Sequence, residues 1–339
     1  MKRRSFVRSA VSVSLGTPLG MMLPPASEAK GATPAFSPRA AFAVDANHVR
    51  FFSDTFKEPL KVLIAADTHL FTDDERGKPF RQYSGRMAHA YNHTRHFQTG
   101  EPTNPEESFA SVVRQAQETK VDLLALVGDI FSFPSQAAIE WVSEKLSQAD
   151  VPYLYVAGNH DWHYEGMEGS LETLRATWVE KRLKPLYQGN NPYMAAYEIH
   201  GIRFLAIDNS HYQIRPDQLE FFRQHSNSGY PLVLLVHIPL YAPGRSVGFG
   251  CGHPDWGAKT DRNYKIERRP RRPESGHTQV TMDFHREVFT SKNLLGIFAG
   301  HIHQQSTDVV NGIPQFVTDA NAKGATMSVE FIPQSTIDS

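Results

Sequence analysis

The chain has 339 residues, 40% of them apolar and 21% charged, a globular balance that excludes a disordered or fibrous polypeptide. The length suits one large domain or two small ones, and the formal net charge of -1 gives no global bias toward nucleic acid or an anionic membrane. The lone cysteine, Cys251, excludes an intramolecular disulfide and sits in a Gly-rich stretch away from the motifs below.

The chain opens with a basic run, Lys2-Arg3-Arg4-Ser5-Phe6-Val7-Arg8, then a weakly apolar stretch from Ala10 to Leu23, then small residues around Ser27, Ala29 and Ala32. That order reads as a signal peptide over residues 1–29, cleaved after Ala29. Arg3-Arg4 followed by Phe6 resembles a twin-arginine export signal, with Lys2 standing where Ser or Thr is usual. The apolar stretch is too short and too interrupted for a spanning helix of about 20 residues. The expectation is a periplasmic or secreted protein with no stable membrane anchor. Residues 24–46 are rich in Pro, Ala and Ser and read as a linker, 30–46 after cleavage, leaving 47–339 as one domain.

Apolar runs predict strands at 48–52 and 60–66. An amphipathic helix follows, from Asn104 or Ser108 to Thr119, then a strand at 122–127 and a helix from Ser135 to Gln148 with Ala138, Ile139, Val142 and Leu146 on one face. A strand at 153–157 precedes a helical region from Met167 to Leu183. Strands at 193–199 and 202–207 form a hairpin through His200-Gly201, and Pro216 suits the first turn of a helix reaching Gln224. Strands at 232–236 and 294–299 follow, then a hairpin at Asn311-Gly312 and a last strand over Thr326–Phe331. Helices alternate with strands early and hairpins appear late, which predicts an α/β protein with mixed sheets. Two stretches escape the pattern, 71–103 and the Gly-, Pro- and Arg-rich 241–280. Each directly follows a motif-bearing strand, so both read as insertions overhanging the site.

Five apolar runs end in polar motifs: Asp67-Thr68-His69, Gly128-Asp129, Gly158-Asn159-His160-Asp161, His237, and Gly300-His301-Ile302-His303. The recurrence places buried strands side by side, with carboxylate, amide and imidazole groups at one sheet edge. Asp67 and His69 alternate about Thr68, so an extended strand end points both to one side, as it does His301 and His303. Asp, Asn and His together suit two divalent or transition ions such as Mn, Fe, Zn or Co.

The five blocks, in this order over residues 67–303, resemble the calcineurin-like metallophosphoesterase superfamily. The resemblance implies a four-layer α/β/β/α sandwich of two mixed sheets flanked by helices. It also implies two metal sites, one formed by Asp67, His69, Asp129 and His303 and one by Asp129, Asn159, His237 and His301, with Asp129 bridging. The implied reaction is phosphoester hydrolysis on a small phosphorylated substrate, monoester or diester, by a metal-bridging hydroxide. His160, without a metal role, suits a general acid; Asp161 either orients it or caps the turn. Ser132 stands three residues after the bridging Asp, where purple acid phosphatases carry a Tyr ligand, so a purple ferric enzyme is not expected. His89, His93 and His96 read as solvated or rim residues, Arg268, Arg269, Arg271 and Arg272 as a solvated charged loop, and His211 as a residue near the site at most. The competing reading is an inert phosphate-binding protein on the same frame, but every ligand position and His160 are present. Hydrolysis of another bond, such as an amide, finds no H-E-x-x-H or G-x-S-x-G motif to support it.

Overall fold

The computed structural model describes residues 40–90, 95–243 and 277–334. The elements in order are β1 (Ala41–Asp45), β2 (His48–Ser53), β3 (Leu60–Ala65), a 3₁₀ turn (Glu75–Phe80), α1 (Arg81–Ala90), α2 (Pro105–Glu118), β4 (Leu123–Val127), α3 (Gln136–Ala149) and β5 (Tyr153–Val156). Next come α4 (Leu171–Trp178), which runs on into a π-helical turn (Val179–Leu183) and a 3₁₀ turn (Lys184–Tyr187), then β6 (Met194–Ile199), β7 (Ile202–Ile207), α5 (Pro216–Ser226) and β8 (Leu232–Leu235). The chain ends with α6 (Gln279–Val288), β9 (Leu294–Ala299), β10 (Ser306–Val310), β11 (Ile313–Val317) and β12 (Met327–Pro333).

Two six-stranded sheets result, in the orders β1-β2-β12-β3-β4-β5 and β10-β11-β9-β8-β7-β6. Each is mixed. β3, β4 and β5 run parallel, while β12 lies antiparallel to β3. In the second sheet β7, β8, β9 and β11 run parallel, flanked by antiparallel β6 and β10. β4 is apolar at every position because both its faces are covered. Leu124 and Leu126 pack against the helices, while Leu123, Ala125 and Val127 pack between the sheets. The same division in β8 sends Val233 and Leu235 inward and Leu232 and Leu234 toward α5 and α6. Helices therefore cover both outer faces, giving the expected α/β/β/α order. Among the described residues no helix is long and apolar enough to cross a membrane.

The helix starts follow local chemistry. Asn104 Oδ1 accepts from Glu107 N at 2.9 Å and Pro105 opens the first turn of α2. Ser135 caps α3 through Ala138 N at 3.3 Å. Three regions depart from expectation. Residues 41–45, assigned to the linker, form β1, which pairs antiparallel with β2 and seats Phe42 edge-on against Phe316, ring centres 5.8 Å apart. The insertion 71–103 folds in part: its 3₁₀ turn and α1 dock through Phe80, stacked on Tyr164 at 5.1 Å, and through buried Met87. The second insertion gives way to α6, capped by Thr278, at its C-terminal end. Residues 1–39, 91–94 and 244–276, which carry the signal reading, His93, Cys251 and the Arg268–Arg272 run, lie outside the described residues.

Candidate metal centre

β3, β4 and β5 stop at one edge of the first sheet and β8 and β9 at the matching edge of the second. Beyond β3 the backbone zips along the continuation of β4, with Asp67 N donating to Gly128 O and His69 N to Asp129 O, each at 3.0 Å. Asp67 and His69 do reach one cluster, but not by the alternation of an extended strand. Their φ angles are 57° and 55°, in the left-handed region, as are those of Asp129 (50°), His301 (74°) and His303 (53°). A non-glycine residue held there costs about 1–3 kcal/mol. The cost is borne by the sheets below, where each fully buried Val, Leu, Ile or Phe contributes about 1.5–3 kcal/mol.

The side chains form two groups. Asp67, His69 and His303 offer ligand atoms within 4.8 Å of one another, and so do Asp129, His237 and His301. In the first, His69 Nε2 and His303 Nε2 face each other at 2.9 Å, and Asp67 Oδ1 lies 3.9 Å and 3.3 Å from them. The groups meet at Asp129 Oδ2, which is 3.2 Å from His237 Nε2 and 4.0 Å from His69 Nε2. Asp129 Oδ1 turns away to accept from His160 N at 2.7 Å. One carboxylate oxygen thus serves both groups while the other is fixed by backbone.

Other contacts set the orientation of these ligands. His237 Nδ1 lies 2.9 Å from Val127 O, so a proton on Nδ1 is donated there and Nε2 is left to face Asp129. Asp67 accepts from His301 N through both oxygens, at 3.1 and 2.8 Å, binding the β3 end to the β9 end. A Cβ on Gly128 would strike the His237 ring, and one on Gly158 would strike the Asp129 carboxylate and backbone. Those glycines are therefore required by close approach, each leaving room for a side chain of another motif.

Burial raises the Asp129 carboxyl, but the imidazoles around it, His237 foremost, hold it well below the usual carboxylate range. His69 is pushed well below its ordinary value by burial and by His303. Burial also disfavours charge on His237, yet Asp129 outweighs it and lifts the group to about 10. The cluster therefore presents an anionic carboxylate and a neutral His69, and its His237 Nε2 seeks a positive partner.

Metal ions satisfy this chemistry. Asn159 Oδ1 is buried without a hydrogen-bond partner, which is costly unless something else occupies it, and His237 Nε2 faces the Asp129 carboxylate at 3.2 Å. A set of carboxylate, amide and imidazole donors converging on one shared oxygen suits two borderline transition ions. Asn159 is held beside Asp129 by its neighbours, Gly158 through close packing and His160 through its backbone N–H.

His160 is half-buried at the edge of the cluster, its ring 5.0 Å from that of His69 and its Nδ1 3.3 Å from Ser132 O. Of its two expected parts, Asp161 takes the one that holds the turn rather than the one that orients His160. Its Oδ1 accepts from Phe131 N at 2.8 Å, and its Oδ2 from Gly158 N at 2.7 Å and Tyr155 Oη at 2.8 Å. It touches backbone and Tyr155 rather than the His160 ring, so it is a positioning residue of the loop. Burial and the nearby Asp129 push it up to about 7. Ser132 donates to His69 O at 2.9 Å, a backbone contact in place of a tyrosine ligand.

The remaining candidates fall elsewhere. His89 is exposed, and His96 packs against Gly324. His211 is pushed down by burial, and the charged groups acting on it are Asp208, Arg175, Arg215 and Glu172 rather than the cluster. Two amides escaped the sequence reading. Asn209 Nδ2 donates to Ile238 O at 2.6 Å while its Oδ1 accepts from Ile238 N at 3.0 Å, fixing the backbone next to His237. Asn321 Oδ1 accepts from Thr68 Oγ1 at 2.9 Å, and Ala322 N donates to Asp67 O at 2.9 Å, so the turn after β11 holds the first motif. Tyr212 places its ring 6.0 Å from that of His301.

A family model described as calcineurin-like phosphoesterase matches residues 60–305. A probable cyclic nucleotide phosphodiesterase of Fibrobacter succinogenes is 23% identical over 214 residues, 62% of this chain and 69% of that relative. Another, from Synechococcus sp., is 28% identical over 140 residues, 38% of this chain and 47% of its own length. Among solved structures, a dimetal phosphatase from Danio rerio aligns at 12% identity and a TM-score of 0.48, over 80% of this chain and 92% of that one.

Proposed function

The chain belongs to the calcineurin-like phosphoesterase family and is a phosphoric ester hydrolase; we propose that it hydrolyses phosphodiesters of the cyclic-nucleotide type and that it does so outside the cytoplasm. The observation that carries the mechanism is the meeting of two ligand groups at Asp129 Oδ2 with His160 alongside. Asp67, His69, Asp129 and His303 would hold one ion and Asp129, Asn159, His237 and His301 a second, and such ions would supply an activated water and neutralise charge on the phosphoryl oxygens. The protein's own part is to fix the ligands and to bring a proton. Val127 O sets the face His237 presents, His301 N holds Asp67, and His160 N holds Asp129. His160, reachable from solvent, protonates the departing alkoxide, a role worth about 10²–10⁴ in rate. The diester preference is supported by the names of the curated relatives. Its test is steady-state hydrolysis of matched monoesters and cyclic or linear diesters by stripped protein reloaded with Mn, Fe, Zn or Co. Diesters are expected to be turned over faster; a preference for monoesters overturns the substrate class, and inertness toward every ester revives the phosphate-binding alternative.

The extracytoplasmic placement is supported by Arg3-Arg4, Phe6 and the small residues up to Ala29. Export is expected to fail when Arg3-Arg4 is changed to Lys-Lys, as read by the protein's distribution across the cell envelope. Undiminished export of that variant sinks the twin-arginine reading.

A further inference from the structure

The end of β7 carries no metal ligand, yet Asp208, Asn209 and Ser210 are all buried there. Asn209 holds the backbone beside His237. Ser210 faces the other way, toward the loop that carries His160. Its Oγ accepts from the indole Nε1 of Trp162 at 2.8 Å and donates to Asp208 Oδ1 at 2.6 Å. Asp208 Oδ1 also takes Ser210 N at 2.7 Å, and its Oδ2 is bound by Arg175 Nε at 2.6 Å. The single hydroxyl proton goes to the carboxylate, which leaves the serine lone pairs for Trp162. The bonds converge on Asp208, from Trp162 through Ser210 on one side and from Arg175 on the other.

Three consecutive residues of the His160 loop are therefore tied to three different places. His160 N is tied to Asp129, Asp161 to β5 and to the backbone after β4, and Trp162 to the second sheet. Asp161 and Asp129 fix the loop to the first sheet only. The Trp162 tie crosses the sandwich, and of these bonds it is the one that sets the loop against the sheet supplying His237 and His301. Trp162 is fully buried, so its ring follows the acceptor closely. We infer that Ser210, acting through Trp162, is a positioning residue that sets His160 against a substrate held between the two sheets. The inference rests on the proton-donor role proposed for His160.

A phosphodiester with an aryl leaving group departs without help from an acid, whereas an alkyl leaving group needs a proton. Full-length, metal-loaded protein is compared on such a pair of esters as wild type, Ser210→Ala, Ser210→Thr, Trp162→Phe and His160→Gln. Ser210→Ala and Trp162→Phe are expected to lower kcat on the alkyl ester by about tenfold, a fraction of the full acid contribution, with the aryl ester and KM changed far less. Ser210→Thr, which keeps the hydroxyl, is expected to restore the alkyl-ester rate. A merely structural role predicts equal loss on both esters and no leaving-group dependence, and that result, or no loss at all, overturns the inference. If Ser210→Ala fails to fold, Trp162→Phe, which keeps an aromatic ring but removes the indole N–H and part of the indole, is read in its place by the same alkyl-versus-aryl comparison. If His160→Gln itself depresses both esters equally, the proton-donor role is wrong and the inference falls with it. A selective loss in His160→Gln that Ser210→Ala and Trp162→Phe do not share overturns the inference while leaving the donor role standing.

Discussion

At Gly158 the space a side chain would fill already belongs to the carboxylate and backbone nitrogen of Asp129. A backbone atom cannot swing aside as a long side chain can, so Gly158→Ala is expected to destabilise the chain by about 1–3 kcal/mol and to weaken metal retention as Asp129 is displaced. Thermal denaturation with and without metal checks this; an unchanged midpoint and full metal content would mean that the close approach is not binding on the site. The ligands themselves were legible in the sequence because each sits where an apolar run stops, and five such stops rarely coincide by chance. Asp67, His69, Asp129, His237, His301 and His303 all reach the cluster. What the sequence could not show is what fixes them. Asn321 meets Thr68 across 253 positions and Asn209 meets Ile238 across 29, and a side chain bonded to remote backbone leaves no periodic or spacing signal. Asp161 illustrates the same limit: adjacency to His160 suggested orientation, but its carboxylate points to Gly158, Phe131 and Tyr155.

Elements whose two faces are both buried were easy to read, whereas two with little burial, β1 and α1, were not. β3, β4, β8 and β9 are near-continuous apolar runs, and each is found where expected. β1 is an edge strand, partly exposed at every position, and its sequence AFAVD lies inside a Pro- and Ala-rich stretch, so composition masked it. α1 buries only Ser84 and Met87, too little to impose a 3.6-residue apolar pattern on a polar segment. The strand ends were read as extended, and the structure makes them left-handed at five ligand positions. Alternation and a left-handed turn both bring Asp67 and His69 to one cluster, so the grouping of these side chains does not depend on which of the two backbone paths is taken. Packing sets Asp67 against Gly300, Asp129 against Gly158 and His237 against Gly128, a constraint between strands that no single segment encodes.

For the whole molecule, the site exists only where the two sheets meet. The first sheet brings Asp67, His69, Asp129, Asn159 and His160, and the second brings His237, His301 and His303; apolar side chains between the sheets, among them Phe51, Val127, Val233 and Phe298, set their spacing. Asp129 belongs to the second group and lies 4.0 Å from His69 of the first, so the proposed mechanism stands or falls on two ions held by one carboxylate. The direct measurement is a titration of stripped protein with metal, following bound ions per chain together with ester hydrolysis, for wild type and Asp129→Ala. Two ions per wild-type chain are expected, with hydrolysis returning as the second binds and neither result reached by Asp129→Ala. Saturation at one ion with full turnover, or hydrolysis by Asp129→Ala at the wild-type rate, would contradict the dinuclear centre.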